Sequence, residues 1–329
     1  MKSIILDLLK KSSDSHISGE ELSKSLGVTR AAIWKYIKAL KEEGYEISSV
    51  SNKGYKLISS PDLLTYEEIS PHLKTNIIGR NIYYFQSIDS TNAKAKELAR
   101  QGEKEGTLII SESQSSGKGR LGRAWTSPKD KGIWMSLILR PDVEPSYASK
   151  ITLIAAAAVH KAIKEYCNIN CGIKWPNDII INNKKVCGIL TEMSGELTKI
   201  NYIIMGIGIN ANLNLEDFPE EIRDIATSIK LEKGESIIRK NLIAKIMNEF
   251  EPLYNEMINY SNINSTIEIC RANSIFIGKE VKLINKNEVI IAKVIDIDDQ
   301  GELIIEKEDG TILPIISGEV SMRGLYGYI

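Results

Sequence analysis

The stretch Gly117-Lys118-Gly119-Arg120-Leu121-Gly122-Arg123-Ala124-Trp125, followed by Thr126-Ser127-Pro128, says more about function than any other part of the chain. Its spacing spells G-x-G-x-x-G, the turn that opens a dinucleotide-binding strand–helix unit. The context excludes that unit. Thr107 to Gln114 reads as a strand, but no helical pattern opens after Gly122, and Pro128 disfavours helix at Ser127. A dinucleotide turn also relies on a helix N-terminus for its phosphates, whereas here three cations are threaded between three glycines. The run reads as a tight cationic loop for an anion with several oxygens, a phosphate or a carboxylate activated by one. An exposed basic loop without a ligand is the plain alternative.

Around the loop, helices and hairpins alternate. Ile82 to Phe85 is a strand, and Asp89-Ser90-Thr91-Asn92 caps a helix from Ala93 to Arg100. Gly132 to Arg140 is a strand, and Lys150 to Tyr166 is a long buried helix. Asp178 to Ile181, the turn Asn182-Asn183 and Val186 to Met193 make a hairpin, and Tyr202 to Ile209 is a central strand. A helix from Ile237 to about Tyr260 closes this part. Consecutive hairpins mixed with helices indicate an α+β fold with a largely antiparallel sheet, not a doubly wound one.

The chain divides into three segments: residues 1–60, 66–272 and 275–329, with 59–65 as a linker. In the first, Ser18 caps a short helix with Glu21 three residues on, ending at Gly27. Thr29 caps a second helix from Arg30 to about Glu43, and Tyr45 to Ile58 alternates around Asn52-Lys53-Gly54 as a hairpin wing. This is a winged helix-turn-helix. The segment to residue 58 holds ten Lys/Arg and seven Asp/Glu, and Arg30, Lys35, Lys38, Lys53 and Lys56 fall on the second helix and wing, suited to a DNA groove and its phosphates. A protein-interaction module is the alternative. The last segment shows about five short strands, ending in Val320-Ser321-Met322, the rhythm of a small β-barrel.

The 329 residues carry 42 Lys/Arg against 43 Asp/Glu, so any nucleic-acid contact must come from a local patch. No apolar run reaches membrane-spanning length, and the first residues lack a signal-peptide pattern, so a cytoplasmic protein with no membrane partner is expected. Cys167, Cys171, Cys187 and Cys270 show no metal-binding or disulfide spacing and read as thiols in a reducing compartment. His16, His72 and His160 stand apart from any Ser, Asp or Cys partner, which argues against histidine catalysis. Gly278-Lys279 runs into Glu280 and is no Walker loop.

Polar groups gather at strand ends: Ser90-Thr91-Asn92, Gln114, Lys174-Trp175-Pro176-Asn177-Asp178, Lys185 through Leu190, and Gly206-Ile207-Gly208-Ile209-Asn210. Singly, each has a dull reading as a cap, a strand-edge lysine or close packing. Together with the cationic loop they fit an enclosed small-molecule pocket. With no nucleophile–base pair visible, adenylyl transfer onto a substrate carboxylate fits better than covalent catalysis, since it needs positioning and charge neutralisation.

These motifs, in this order and spacing, resemble the biotin protein ligase family, and the winged helix resembles its bifunctional ligase/repressor members. The resemblance covers nearly the whole chain. It implies a class II synthetase-like mixed α/β ligase domain and an SH3-like C-terminal barrel. It also implies a reaction in which biotin and ATP with Mg²⁺ give biotinyl-5′-AMP, whose biotinyl group passes to a lysine of biotin carboxyl carrier protein. Carried over by motif, Lys185, Arg120, Lys118 and Arg123 would be catalytic. Ser90, Thr91, Asn92, Gln114, Lys118, Gly119, Arg120, Lys185, Gly188 and Gly206 would hold biotin. Trp125, Asn177, Asp178, Gly208 and Asn210 would form the nucleotide side, with Mg²⁺ carried by the phosphates near Asp178 and Phe218 a candidate to cover adenine. Lys118 departs from the family's frequent arginine, keeping charge but losing the planar fork.

For the DNA-binding part, the resemblance points to Ser18, Gly19, Glu20, Thr29, Arg30, Trp34, Lys35, Lys38 and Lys53. The adenylate would order the loops and promote a homodimer that binds operator DNA, using the surface that also meets the carrier protein. A repressor that no longer catalyses, and a lipoate or octanoyl transferase, are the competing readings.

Overall fold

A computed structural model describes residues 1–12, 15–285, 288–316, 321–325 and 327–329. It divides into two units, residues 1–71 and 72–329. In the first unit α1 (Lys2–Lys11), α2 (Gly19–Leu26) and α3 (Arg30–Glu42) precede the hairpin β1 (Glu46–Val50) and β2 (Gly54–Ser59). The caps form as the sequence demands. Ser18 Oγ accepts from the Glu21 N–H, Thr29 Oγ1 from the Ala32 N–H, and Gly27 ends α2 at φ +63°. Ile33, Ile37 and Leu40 lie one helical turn apart along α3 and pack against Ile5, Leu9 and Leu22. Each such side chain contributes about 1.5–3 kcal/mol by leaving water.

The span 59–65 is not simply a linker. Leu64 is buried, and α4 (Tyr66–Ile69) follows it with Glu68 between Tyr45 Oη at 2.9 Å and Lys10 Nζ at 2.6 Å. The chain is thereby held to the first unit through residue 71.

In the second unit a seven-stranded sheet runs β3 (Asn81–Phe85), β4 (Thr107–Ser111), β5 (Ile133–Leu139), β9 (Ile200–Ile209), β8 (Lys184–Gly195), β7 (Asp178–Ile181), β6 (Gly172–Lys174). Only β3–β4 is parallel among these pairs, so the antiparallel expectation holds. β4 stops at Ser111 rather than Gln114, because the chain turns there and the Ser111 hydroxyl donates to the Ser113 carbonyl. One face carries α5 (Thr91–Arg100), whose Ala95 and Leu98 pack on Ile109, Ile138 and Ile204. Further along this face the segment after β9 covers Trp134 with Leu213, Phe218 and Ala226.

The opposite face is served by α6 (Ala148–Cys167). The short α7 (Ile229–Lys233) leads to α8 (Arg239–Tyr260), which packs on α6. Contrary to expectation α8 does not close this part: Ser261 turns left-handed at φ +53° and α9 (Asn264–Ala272) follows.

The C-terminal segment forms a five-stranded antiparallel sheet from β10 (Glu280–Asn285), β11 (Glu288–Ile297), β12 (Leu303–Lys307), β13 (Ile312–Ile315) and β14 (Ser321–Gly324), in the order β13-β12-β11-β10-β14. Val320 lies outside the described residues. The chain leading into this sheet runs beside β6, where the Ile173 N–H donates to the Asn273 carbonyl and the Ile173 carbonyl accepts from the Ile275 N–H. None of the described helices is long and apolar enough to cross a membrane.

Candidate active site

The cationic loop closes as a narrow hairpin. Trp125 N–H donates to Gly117 O at 2.9 Å and Gly119 N–H to Arg123 O at 2.8 Å, with Leu121 and Gly122 turning at φ +58° and +73°. Leu121 is 72 % exposed at the tip, while Arg120 folds back so that its Nη1 donates to Asn177 Oδ1 at 2.8 Å. Burial depresses the Arg120 pKa, and nearby Asp178 opposes the shift. Lys118 and Arg123 remain exposed.

Strand register builds the floor beneath the loop. Asp178, Gly188, Gly208 and Trp134 stand in one row across β7, β8, β9 and β5, and Leu190, Gly206 and Ser136 form the next. Both β9 glycines are needed for room. A Cβ at Gly208 would lie 2.6 Å from Trp125 Nε1, and one at Gly206 would lie 2.2 Å from Asn92 Oδ1. Trp125 thus rests on bare backbone, edge-on to Trp134 with ring centres 6.4 Å apart, and its buried Nε1 has no hydrogen-bond partner among the described residues.

Two adjoining cavities result. The narrower, about 50 Å³, is lined by Ser90, Thr91, Asn92, Gln114, Lys118, Gly188, Gly206 and Gly208. The wider, about 200 Å³, is lined by Arg123, Asp178, Asn210 and Phe218, together with Lys174, Met322, Arg323 and Tyr328. Gly119, Arg120, Trp125, Asn177 and Lys185 line both, so they stand at the junction. Lys185 Nζ lies 2.6 Å from Asp178 Oδ1 and 5.2 Å from the Trp125 ring centre.

At the closed end Ser90 caps α5, and the next two residues face the cavity. Gln114 Oε1 accepts from the Thr91 N–H at 2.8 Å and its hydroxyl at 3.1 Å, while Gln114 Nε2 donates to Ser127 Oγ at 2.9 Å. Ser136 Oγ lies 2.8 Å from Thr91 Oγ1 and 2.5 Å from Asn92 Oδ1. Asn92 Nδ2 donates to Glu192 Oε2 at 2.8 Å.

At the open end Tyr328 Oη donates to Asp178 Oδ2 at 2.6 Å, and Lys174 Nζ donates to the Tyr328 carbonyl at 2.7 Å. Burial lowers the Lys174 pKa to about 7 against the opposing pull of Asp178, and burial with Asp178 raises that of Tyr328.

The pocket residues named from sequence are therefore brought together. Tyr328, which lines the wider cavity, and Ser127, Ser136 and Glu192, which hydrogen-bond to lining residues, were missed. Ser136 left one signal, a lone polar residue in the apolar run Ile133 to Leu139; Tyr328 left none. Phe218 lines the wider cavity but is 2 % exposed and packs in the core around Trp134, whereas the half-buried Trp125 lines both cavities. The expectation that the histidines stand apart is corrected by His160, whose Nδ1 lies 3.3 Å from Cys171 Sγ. Burial takes His160 down to about 4 and Cys171 up to about 12, so both stay neutral near pH 7 and form no ion pair for catalysis. The four cysteines are free thiols.

In the first unit Arg30, Trp34 and Lys38 recur every four residues on the outward face of α3 beside Lys35, all exposed. Trp34 is 56 % exposed, with Lys38 Nζ 5.8 Å from its ring centre. Ser18 and Thr29 are helix caps, Gly19 begins α2, Glu20 is paired with Lys24 at 2.8 Å, and Lys53 is exposed in the wing turn.

Residues 84–210 match the family model described as the biotin/lipoate A/B protein ligase family, residues 3–56 an HTH domain, and residues 276–323 the biotin protein ligase C terminal domain. The bifunctional ligase/repressor BirA of Bacillus subtilis is 43% identical over 256 residues, 78% of this chain and 79% of that protein. Its Escherichia coli namesake is 31% identical over 307 residues, 93% and 92% of the two chains. The solved biotin protein ligase of Aquifex aeolicus in complex with biotin and ATP aligns with a TM-score of 0.65 at 29% identity, over 74% of this chain and 99% of that one. A ligase pocket, a helix-turn-helix and relatives of this extent lead to one conclusion: the chain belongs to the biotin protein ligase family, in its bifunctional ligase/repressor branch.

Proposed function

We propose that this protein joins biotin to ATP as biotinyl-5′-AMP and passes the biotinyl group to a lysine of biotin carboxyl carrier protein. The observation that carries this reading is the pair of adjoining cavities with Arg120, Lys185, Trp125 and Asn177 at their junction. Biotin's ring end would enter the polar end at Thr91, Asn92 and Gln114, placing its carboxylate beside Lys185. The nucleotide would occupy the wider cavity, with adenine against Trp125 and the phosphates among Lys185, Arg120, Arg123 and Lys118.

A carboxylate oxygen then attacks the α-phosphorus, the bond to the bridging oxygen breaks, and its electron pair leaves with pyrophosphate. In the second step the acceptor lysine's neutral amine attacks the acyl carbon, AMP departs with the C–O electron pair, and the ammonium proton is released. Lys185 and Arg120 serve both steps by neutralising charge that grows on phosphate oxygens in a site sheltered from water.

Asp178 is the sole carboxylate among the described residues lining either cavity, and its oxygens face Lys185 and Tyr328. These residues do not build a Mg²⁺ cage; an ion brought by ATP would keep phosphate and water ligands.

The repressor role would use the outward face of α3 and the wing. β8 continues through Leu190–Gly195 beyond its pairing with β7, leaving an edge unpaired among the described residues, with Met193 and Leu197 exposed beside it. Such an edge suits a homodimer or the carrier protein. The test is biotin-dependent exchange of label between pyrophosphate and ATP, with lipoate as the competing acid, and gel-shift titration of operator DNA with and without biotin and ATP. Exchange driven by lipoate alone, or DNA binding indifferent to biotin and ATP, would contradict the reading.

A further inference from the structure

The closed end of the narrower cavity has a fixed hydrogen-bond polarity, and its origin lies outside the cavity. Glu192, half-buried on β8, has Lys96 Nζ 2.6 Å from Oε1, and its Oε2 accepts from Asn92 Nδ2 at 2.8 Å. A carboxylate paired with a lysine only accepts. The Asn92 amide is therefore turned with its nitrogen towards Glu192 and its carbonyl towards Ser136 and Gly206.

A second anchor is the Thr91 backbone N–H, which only donates and so turns Gln114 Oε1 inward and Nε2 outward to Ser127. Between these anchors the hydroxyls of Thr91 and Ser136 supply two protons. They face Asn92 Oδ1, Gln114 Oε1 and each other's oxygens. Acceptor sites outnumber protons, so this wall lacks donors until a ligand brings them.

We propose that Glu192 is a positioning residue that sets the polarity of the biotin pocket. By holding the Asn92 carbonyl inward it selects a ring edge that carries N–H donors, as a cyclic urea does. The inference rests on the assignment of this cavity to biotin.

Glu192→Gln keeps shape but can donate as well as accept, which frees Asn92 to turn its amide nitrogen inward. The expected result is a KM for biotin raised about tenfold, the worth of one hydrogen bond. The kcat and the KM for ATP should stay at wild-type values, and the preference for biotin over biotin methylated on a ureido nitrogen should narrow by a similar factor. Glu192→Ala, a second variant, should move the same way. Lys96→Met removes the ion pair but keeps the carboxylate, and should retain the wild-type KM for biotin.

A Glu192→Gln protein with wild-type KM and preference would overturn the proposal. So would a Lys96→Met protein as impaired as Glu192→Gln, which would make the acid merely structural. A wild-type protein that binds no biotin would remove the pocket assignment and this inference together, whereas biotin binding indifferent to Glu192 would remove only the inference.

Discussion

Gly206→Ala should weaken biotin binding severely while leaving the fold intact. Gly206 is extended within β9, so alanine brings no backbone strain there. Its Cβ would stand 2.2 Å from Asn92 Oδ1, 2.9 Å from Cγ and 3.0 Å from Nδ2, and the first distance is impossible. Asn92 must swing by about an ångström, breaking the Ser136 bond and loosening that to Glu192. Displaced in this way, Asn92 no longer accepts from biotin; losing that net hydrogen bond costs about 1 kcal/mol of binding, and leaving the buried ligand donor unsatisfied costs about 1–3 more. A total of about 2–4 kcal/mol corresponds to a biotin affinity lowered roughly 30- to 700-fold. Isothermal titration with biotin measures this directly, and a thermal melt checks that the variant is folded. A folded variant binding biotin within about threefold of wild type would show that biotin does not sit at the polar end.

Lys185→Met should slow biotin-dependent ATP–pyrophosphate exchange by roughly 10²- to 10³-fold, the worth of a preorganised group at developing charge. A loss under about fivefold would move the charge-neutralising role elsewhere. Lys174→Met should change the pH dependence of stability. Its folded pKa of about 7 lies below the ordinary lysine value, so above pH 7 the unfolded chain binds more protons and this group favours folding as pH rises. The stability of Lys174→Met relative to wild type should therefore fall by about 1.6 kcal/mol between pH 7 and 8.5 in urea unfolding, and parallel curves would contradict the burial argument. Lys38→Ala should lower the slope of log affinity for operator DNA against log salt by about 0.9 with ligase activity unchanged; an unaltered slope would take α3 off the phosphates.

The sequence reveals local chemistry well because caps and turns are local. Ser18, Thr29 and Gly27 mark the helix-turn-helix as accurately as the structure does, and Pro128 together with the three threaded cations separates the cationic loop from a dinucleotide turn. What it hides is whatever depends on register. Ser136 matters because β5 sets it opposite Gly206, and Glu192 because β8 carries it within reach of Asn92. Tyr328 reaches Asp178 across 150 residues of chain, which no spacing could show. α9 was hidden for a different reason: Ser261-Asn262-Ile263-Asn264-Ser265 is loop-like in composition, and only packing of Ile267 and Cys270 into the core sustains the helix that follows.

The most direct measurement is mass spectrometry of the purified chain after incubation with biotin, ATP and Mg²⁺, under conditions that preserve bound ligands. Biotinyl-5′-AMP should be retained by the wild-type chain, greatly reduced in Gly206→Ala and Lys185→Met, and discharged when a carrier-domain lysine is supplied. A wild-type chain that retains no adenylate and transfers no biotin would contradict the proposed function.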